Sequence, residues 1–131
     1  MGEPIDPEVI ALAARVFDLA REGDTEQLTA YVDAGVPANL TNDKGDTLLI
    51  LAAYRGRAEA VAALLERGAD SSRANDRGQT ALAAAVFRQS ADTVRALVAA
   101  GADPDAGSPS ARATALFFEL PAMAALLPPS G

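Results

Sequence analysis

Apolar and polar positions recur along this chain with the period of an α-helix. Val61, Leu64 and Leu65 fall three and four residues apart, with charged residues on the positions around them. This spacing places the aliphatic side chains on one face of an amphipathic helix. The stretch before it, from Leu48 to Ala52, is apolar at most positions, which predicts a short helix buried on most sides. The pattern therefore predicts a pair of helices with different degrees of burial.

The same pattern returns after 33 residues, at intervals marked by Gly35, Gly68 and Gly101. The segments 42–73 and 75–106 align over nearly their whole length. The marking glycines fall just past the amphipathic helix, where a left-handed residue ends a helix and glycine pays no steric penalty. A fixed period of this length predicts stacked helical units and not one interwoven core.

Threonines mark the start of the buried helix in each full copy. Thr47 and Thr80 suit the helix N-cap, where the hydroxyl accepts a hydrogen bond from a backbone amide. A copy at 16–40 lacks the opening turn, and a copy at 114–127 is cut short. In that last copy we expect Thr114 to match the two capping threonines, with about five residues missing between its two helical segments.

The N-terminal end of the array has the pattern of a cap. Asp6 and Pro7 predict the start of a helix that runs to about Glu22. One stripe of this helix is apolar and should face the next repeat, and the other is largely polar and should face solvent. The apolar stripe consists of Val9, Leu12, Val16 and Leu19, and the polar one of Glu8, Ala11, Arg15, Asp18 and Glu22.

The C-terminal end is different, because Glu119 is the only charge between Ala113 and Ser130. One interpretation is a degenerate cap whose apolar residues all face the preceding repeat. The other is an apolar patch, including Phe117, Phe118 and Met123, that stays partly exposed and docks a partner or a second copy.

The chain resembles the ankyrin repeat family. The resemblance rests on a turn asparagine, a turn glycine, a capping threonine, small and aliphatic helix residues and a closing Gly-Ala-Asp. These are Asn42, Gly45, Thr47, Leu49, Ala52, Ala53, Leu64, Leu65, Gly68, Ala69 and Asp70 in one copy, and Asn75, Gly78, Thr80, Leu82, Ala84, Ala85, Leu97, Gly101, Ala102 and Asp103 in the next. The chain departs from the family where proline gives way to Leu48 and Ala81, and histidine to Ile50 and Ala83.

The resemblance, which covers about 9–127, implies an all-α, ankyrin-type helix-turn-helix solenoid. The loops should be short and hairpin-like, with three repeats and a truncated C-terminal cap. We expect one domain over 1–131. Its repeats should span about 7–40, which includes the N-terminal cap helix, 41–73 and 74–106, and the truncated cap about 107–128.

The residue types present argue against catalysis. The chain has no histidine and no cysteine, so histidine-based triads, thiol nucleophiles and most zinc sites are excluded. Lys44 is the single lysine and falls in a predicted turn. Asp43 and Asp46 are close enough in sequence to form an acid/base pair, but we expect them in an exposed hairpin without an apolar pocket. We therefore expect no enzyme, no cofactor and no metal.

The chain is acidic, with a formal net charge of −7. The first 46 residues carry ten acidic and three basic side chains, which accounts for the whole excess. A nucleic-acid partner is therefore not expected, since such binding depends on clustered cations. The acidic third steers a basic partner or simply keeps the surface soluble.

The N-terminus lacks the pattern of a signal peptide, and no apolar run has membrane-spanning length. We expect a cytoplasmic location and no membrane partner. Ten arginines beside one lysine suggest a GC-rich bacterial genome.

The resemblance also implies a binding site, because related proteins bind ligands through hairpin tips and exposed positions of the first helix in each repeat. Tyr54 and Phe87 occupy equivalent positions, so we expect them side by side, each followed by an arginine. Aromatic residues and arginines are enriched at interface hot spots, although the two rings also suit a role in covering helix ends. The implied residues are Asp43, Lys44, Asp46, Tyr54, Arg55, Asp76, Arg77, Gln79, Phe87 and Arg88.

These observations predict a monomeric, non-catalytic protein-interaction module whose protein partner binds the concave face of the stack. The first alternative is a structural role in which the apolar C-terminal end assembles copies of the chain. The second is a small-molecule binder or enzyme, which needs an enclosed polar pocket.

Overall fold

The computed structural model describes residues 6–129, and this part of the chain folds into eight α-helices joined by turns. The helices are α1 (Pro7–Glu22), α2 (Thr25–Asp33), α3 (Leu48–Tyr54), α4 (Ala58–Glu66), α5 (Ala81–Arg88), α6 (Ala91–Ala99), α7 (Ala111–Phe117) and α8 (Pro121–Ala124). Each odd-numbered helix pairs with the helix that follows it. The predicted all-α solenoid is confirmed.

The helices form two rows. An inner row contains α1, α3, α5 and α7, each packed against the next, and an outer row contains α2, α4 and α6. Five of the seven residues of α3 are buried, because α3 has an inner helix on either side and α4 behind it. The outer helix α4 buries only Ala60, Val61 and Leu64 among its nine residues. This difference is the one that the apolar pattern predicts.

The helix starts follow the capping residues. Thr47 accepts a hydrogen bond from the Ile50 amide at 3.1 Å, and Thr80 accepts one from the Ala83 amide at 3.2 Å. Both predicted N-caps are therefore confirmed. The first helix begins after Asp6, whose carboxylate accepts from the Glu8 amide at 2.8 Å.

Three tight hairpins, at 41–47, 74–80 and 107–110, connect an outer helix to the next inner helix. The hairpins are also joined to one another. The Asp76 amide donates to the Lys44 carbonyl at 3.0 Å, and the Ser108 amide donates to the Gly78 carbonyl at 2.9 Å. The hairpins thus form their own stack beside the inner helices.

The last repeat differs from the sequence prediction in its alignment with the others. Ser110, and not Thr114, caps α7: it accepts from the Ala113 amide at 3.0 Å and pairs with Gly107 across the hairpin. Thr114 lies one turn inside the helix, where its hydroxyl donates to the Ser110 carbonyl. Three residues separate α7 from α8, as between α3 and α4, so the missing residues are in the hairpin and not between the helices.

The first helix also differs from the prediction. Val16 and Leu19 of the predicted apolar stripe are buried, but Val9 and Leu12 are exposed. Only the second half of α1 is therefore buried as an inner helix, and Val9 and Leu12 line an open pocket with Val36 and Leu40.

Candidate functional site

A groove runs between the hairpins and the inner helices. Its N-terminal pocket has a volume of about 340 Å³, and its C-terminal pocket one of about 250 Å³. Both are lined by Arg77 and Gln79, which makes them neighbouring parts of one groove. The N-terminal pocket is also lined by Arg21, Asn42, Asp43, Lys44, Asp46, Ile50, Leu51, Tyr54 and Arg55, and the C-terminal pocket by Ala83, Phe87, Pro109, Thr114 and Phe118.

An aromatic row, defined here as Tyr54, Phe87, Phe118 and Phe117, runs along the inner helices. The rings of Tyr54 and Phe87 are stacked with centroids 6.2 Å apart. Phe118 meets Phe87 edge to face at 5.4 Å, and Phe117 meets Phe118 in the same way at 4.9 Å. Tyr54, Phe87 and Phe118 remain 41%, 46% and 49% exposed, so the row presents ring surface to solvent.

The sequence pattern indicated only the first two members of this row. It assigned Phe117 and Phe118 to a separate C-terminal patch, because the last repeat was aligned on Thr114. With Ser110 as the cap, Phe117 follows its N-cap by seven positions, as Tyr54 and Phe87 follow theirs. With the missing residues placed in the hairpin, the same seven-residue spacing predicts Phe117 as a member of the aromatic row.

The predicted C-terminal patch is partly corrected. Phe117 is 79% exposed and Phe118 is also exposed, but Met123 is buried in the core. Leu116, which the prediction did not single out for binding, is 73% exposed. The interpretation in which every apolar residue of the last unit faces the preceding repeat is therefore wrong.

Several cations of the groove lack an acidic partner among the described residues. Lys44, Arg55 and Arg77, which line the N-terminal pocket, and Arg88, which lines neither pocket, are exposed, and none of them forms an ion pair within residues 6–129. Arg21 differs, because it pairs with Asp18 at 2.9 Å. Of the six arginines elsewhere, three are paired with carboxylates, Arg67 with Asp33, Arg95 with Asp92 and Arg112 with Asp105, and three, Arg15, Arg57 and Arg73, form no ion pair among the described residues.

The sequence analysis expects Asp46 on an exposed hairpin, and this expectation is wrong. It is only 8% exposed, and its Oδ1 accepts a hydrogen bond from the Asn75 side chain of the next hairpin at 2.8 Å. Asn75 itself is buried and accepts from the amides of Arg77 and Gln79. Asp46 therefore joins two hairpins, while Asp43 and Asp76 remain at the exposed tips.

Gln79, one of the predicted binding residues, lies where the two pockets meet. Its side chain lines both pockets, and its Oε1 is buried without a hydrogen-bond donor among the described residues. Buried polar atoms are nearly always hydrogen-bonded, so this acceptor sets Gln79 apart from the other residues of the groove.

The resolved pKa shifts lie outside the groove. The Arg67 guanidinium, hydrogen-bonded to Asp33, holds the pKa of that carboxyl below its usual range. The hydroxyl and the amide of Ser72 lower the pKa of Asp70 in the same direction. Within residues 6–129 no group of three or more acidic, histidine or cysteine side chains is placed to hold a metal ion. None of the helices described there is long and apolar enough to cross a membrane.

The fold defines a repeat protein built from helix pairs, with a groove that crosses several repeats. Residues 16–108 match the family described as ankyrin repeats (3 copies). The chain therefore belongs to the ankyrin repeat family, whose members are generally protein-interaction modules without catalysis of their own. It is also similar to the ankyrin repeat protein PA3287 of Pseudomonas aeruginosa, with 44% identity over 52 residues. This match covers 40% of the chain and 30% of the relative's length.

Proposed function

We propose that this chain is a non-catalytic module that binds a protein partner through the groove between its hairpins and inner helices. The observation that carries the proposal is the aromatic row, in which rings from three successive repeats contact one another and still expose about half of their surface. The finer choice of partner-facing residues includes Asp43, Lys44, Tyr54, Arg55, Asp76, Arg77, Gln79, Phe87 and Arg88.

Aromatic side chains are favourable binding residues because each buries a large area and orders few rotatable bonds. A row that served only to cover helix ends would keep its rings mostly out of solvent. Phe87 is held by contacts with Tyr54 and Phe118 on either side, so its exposed surface is already fixed in position. A preorganised surface of this kind loses little conformational entropy when a partner binds.

The test is an affinity purification from cells of the source organism with the full chain as bait. A Tyr54→Ala/Phe87→Ala double variant should lose most of the partner recovered by the wild type. A matched control is Val9→Ala/Ile10→Ala, which removes apolar side chains that are also exposed but lie at the start of α1. Circular dichroism checks that both variants are folded. Equal recovery by all three proteins would contradict the proposal.

A second candidate function is self-association through the C-terminal end, and the exposure of Leu116 and Phe117 favours it. Sedimentation velocity over a range of concentrations decides between the two. Under our first proposal the mass stays that of a monomer. If the mass instead rises with concentration, and Phe117→Glu returns it to the monomer value, the C-terminal rings serve self-association and not binding of a different protein.

We also propose a bacterial origin and a cytoplasmic location for the chain. Ten arginines beside a single lysine support the origin, as does the similarity to a Pseudomonas protein. The location stays the expectation drawn from the sequence.

A further inference from the structure

We propose that the groove takes an acidic segment of the partner protein. Carboxylates of that segment lie against the cations of the N-terminal pocket, and one large apolar side chain enters the C-terminal pocket. This inference rests on the proposed function and adds the chemistry of the partner.

The two pockets of the groove are lined by more cations than acids, although the molecule as a whole is acidic. Its two pockets are lined by four cations, Arg21, Lys44, Arg55 and Arg77, and by two acids, Asp43 and Asp46. One of these acids, Asp46, is buried and bonded to Asn75. The chain as a whole carries 18 acidic and 11 basic residues. More than a third of its basic residues therefore line the groove, although the chain is strongly acidic.

The two sides of the groove differ in charge. On the hairpin side cations alternate with acids, since Asp43 precedes Lys44 and Asp76 precedes Arg77. On the side of the inner helices, Arg55 follows Tyr54 in the N-terminal pocket and Arg88 follows Phe87 outside both pockets. Neither arginine has an ion-pair partner among the described residues. A guanidinium presents a planar set of donors that matches a carboxylate. The helix side thus offers positions for carboxylates that this chain does not fill itself.

The C-terminal pocket has a different character. Ala83, one helical turn before Phe87 on α5, lines this pocket together with the rings of Phe87 and Phe118. Pro109 and Thr114 complete the apolar part of the lining. A volume of about 250 Å³ bounded by two rings suits one aliphatic or aromatic anchor.

Gln79 supports an extended conformation for the bound segment. It stands between the two pockets, and its buried Oε1 has no donor within residues 6–129. A ligand that crosses from one pocket to the other passes this side chain, and a rotation of the Gln79 amide brings Oε1 to a backbone N–H of the ligand. The bond removes the cost of an unsatisfied buried acceptor, which favours a peptide over an isolated ion.

The experiment is a selection of short random peptides displayed on phage against the full chain, followed by fluorescence anisotropy with labelled forms of the enriched peptides. We expect enriched sequences that combine several aspartates or glutamates with one large apolar residue. Arg55→Glu and Arg77→Glu should each weaken their binding about tenfold, since a hydrogen bond to a charged group is worth roughly that factor. Binding should also weaken as salt is added.

The matched control is Arg95→Glu, which makes the same change of charge on the outer helix α6. It should leave peptide affinity unchanged. If Arg95→Glu weakens binding as much as Arg77→Glu, the effect is due to net charge and the inference is wrong. A labelled single-stranded oligonucleotide that binds the wild type, and fails to bind Arg77→Glu, would also overturn the inference in favour of a phosphate ligand.

The remaining outcomes separate this inference from the function on which it rests. Enriched peptides that are basic or neutral but lose affinity in Phe87→Ala would overturn the acidic partner and leave the groove as the binding site. Enriched acidic peptides that bind Phe87→Ala and Arg77→Glu as well as the wild type would contradict both. A selection that enriches no sequence overturns the inference alone, because folded partners are tested by the affinity purification.

Discussion

The side chain of Asn75 makes three hydrogen bonds in the hairpins. Its Oδ1 accepts the Arg77 and Gln79 amides at 2.9 and 3.0 Å, and its Nδ2 donates to Asp46 at 2.8 Å. The same residue therefore shapes its own turn and ties it to the preceding one. Because Asp46 is buried, the bond from Asn75 also satisfies a carboxylate that solvent barely reaches.

Asn75→Asp should destabilise the fold by about 2 to 4 kcal/mol at neutral pH, because it removes the donor and places a second carboxylate against Asp46. Urea unfolding followed by circular dichroism measures the change. Asn42→Asp is the matched control: Asn42 accepts the Lys44 and Asp46 amides, but its Nδ2 makes no hydrogen bond among the described residues. The control should cost less than about 1 kcal/mol. Equal losses in both variants would show that the link between hairpins is unimportant.

Asp46 also shows where the sequence stops being informative. The pattern Asn-Asp-basic-Gly-polar-Thr predicts a turn, and turns are usually solvated, so an acid at this position is expected to be exposed. Burial of Asp46 depends on a side chain 29 positions later in the chain. Nothing in the local pattern specifies how closely neighbouring hairpins stack, so the local pattern predicts the turn but not the bond.

At the scale of elements, the hairpins approach one another closely enough to restrict their glycines. Gly45 has a positive φ of 76°, and a methyl group added there would lie 2.6 Å from Asp76 Oδ1 and 3.0 Å from its amide nitrogen. Gly68 has a positive φ of 89° but has no atom within 4 Å of the same position. Alanine at position 68 therefore tests backbone strain alone, and alanine at position 45 tests the same strain together with a steric clash.

Gly68→Ala should destabilise the protein by about 1 kcal/mol, the cost of a left-handed alanine. Gly45→Ala should cost clearly more, because the same strain is joined by a contact with the next hairpin. Urea unfolding of both variants gives the comparison. If Gly68→Ala is the more destabilising of the two, the close stacking of the hairpins does not contribute to stability.

An ion pair connects two outer helices and gives a prediction with a defined pH dependence. Asp33 at the end of α2 accepts from Arg67 after α4 at 2.8 Å, and this bond holds the pKa of Asp33 below its usual range. The folded-state pKa is lower than the unfolded one, so the stabilisation is fully present above the unfolded pKa and is lost as pH falls through the folded one.

Asp33→Asn should therefore be less stable than the wild type near pH 6 by a small amount, since the pair is largely exposed. The difference should disappear as the pH falls through the lowered pKa of Asp33, below which the carboxylate is protonated in the folded wild type. Urea unfolding of both proteins over a series of pH values tests the sign. A difference that grows on acidification would contradict the assignment.

The helices themselves were predictable, because each has a cap and an apolar period that act locally. Thr47 and Thr80 mark two starts correctly, and the short apolar stretches are the inner helices. The last repeat was not predictable in the same way. Thr114 and Ser110 are both acceptable N-caps, and only the pairing of Gly107 with Ser110 across the hairpin selects between them. With Ser110 as the cap, Phe117 occupies the repeat position of Tyr54 and Phe87, and Phe118 contacts Phe87. This alignment adds both phenylalanines to the candidate site.

At the scale of the whole molecule, burial is greatest in the middle of the stack and declines at both ends. Six of the eight residues of α5 are buried, whereas α8 buries only Met123 and the first two turns of α1 are exposed. In a protein built from repeats, stability is approximately a sum of repeat terms and interfaces between neighbours. The middle repeats have two interfaces, and the terminal ones have one.

Hydrogen exchange followed by mass spectrometry should therefore find the slowest amides in α3 and α5, and the fastest in α8 and the start of α1.

Leu28→Ala and Leu82→Ala form a matched pair, since both leucines are fully buried, one in α2 of the terminal repeat and one in the central helix α5. Each removes about 2 to 5 kcal/mol of packing. Leu28→Ala should lower protection mainly in α1 and α2, because the terminal repeat opens alone. Leu82→Ala should lower it in every repeat, because opening the centre removes an interface on both sides. Equal and uniform losses in the two variants would mean that the chain unfolds as one cooperative unit.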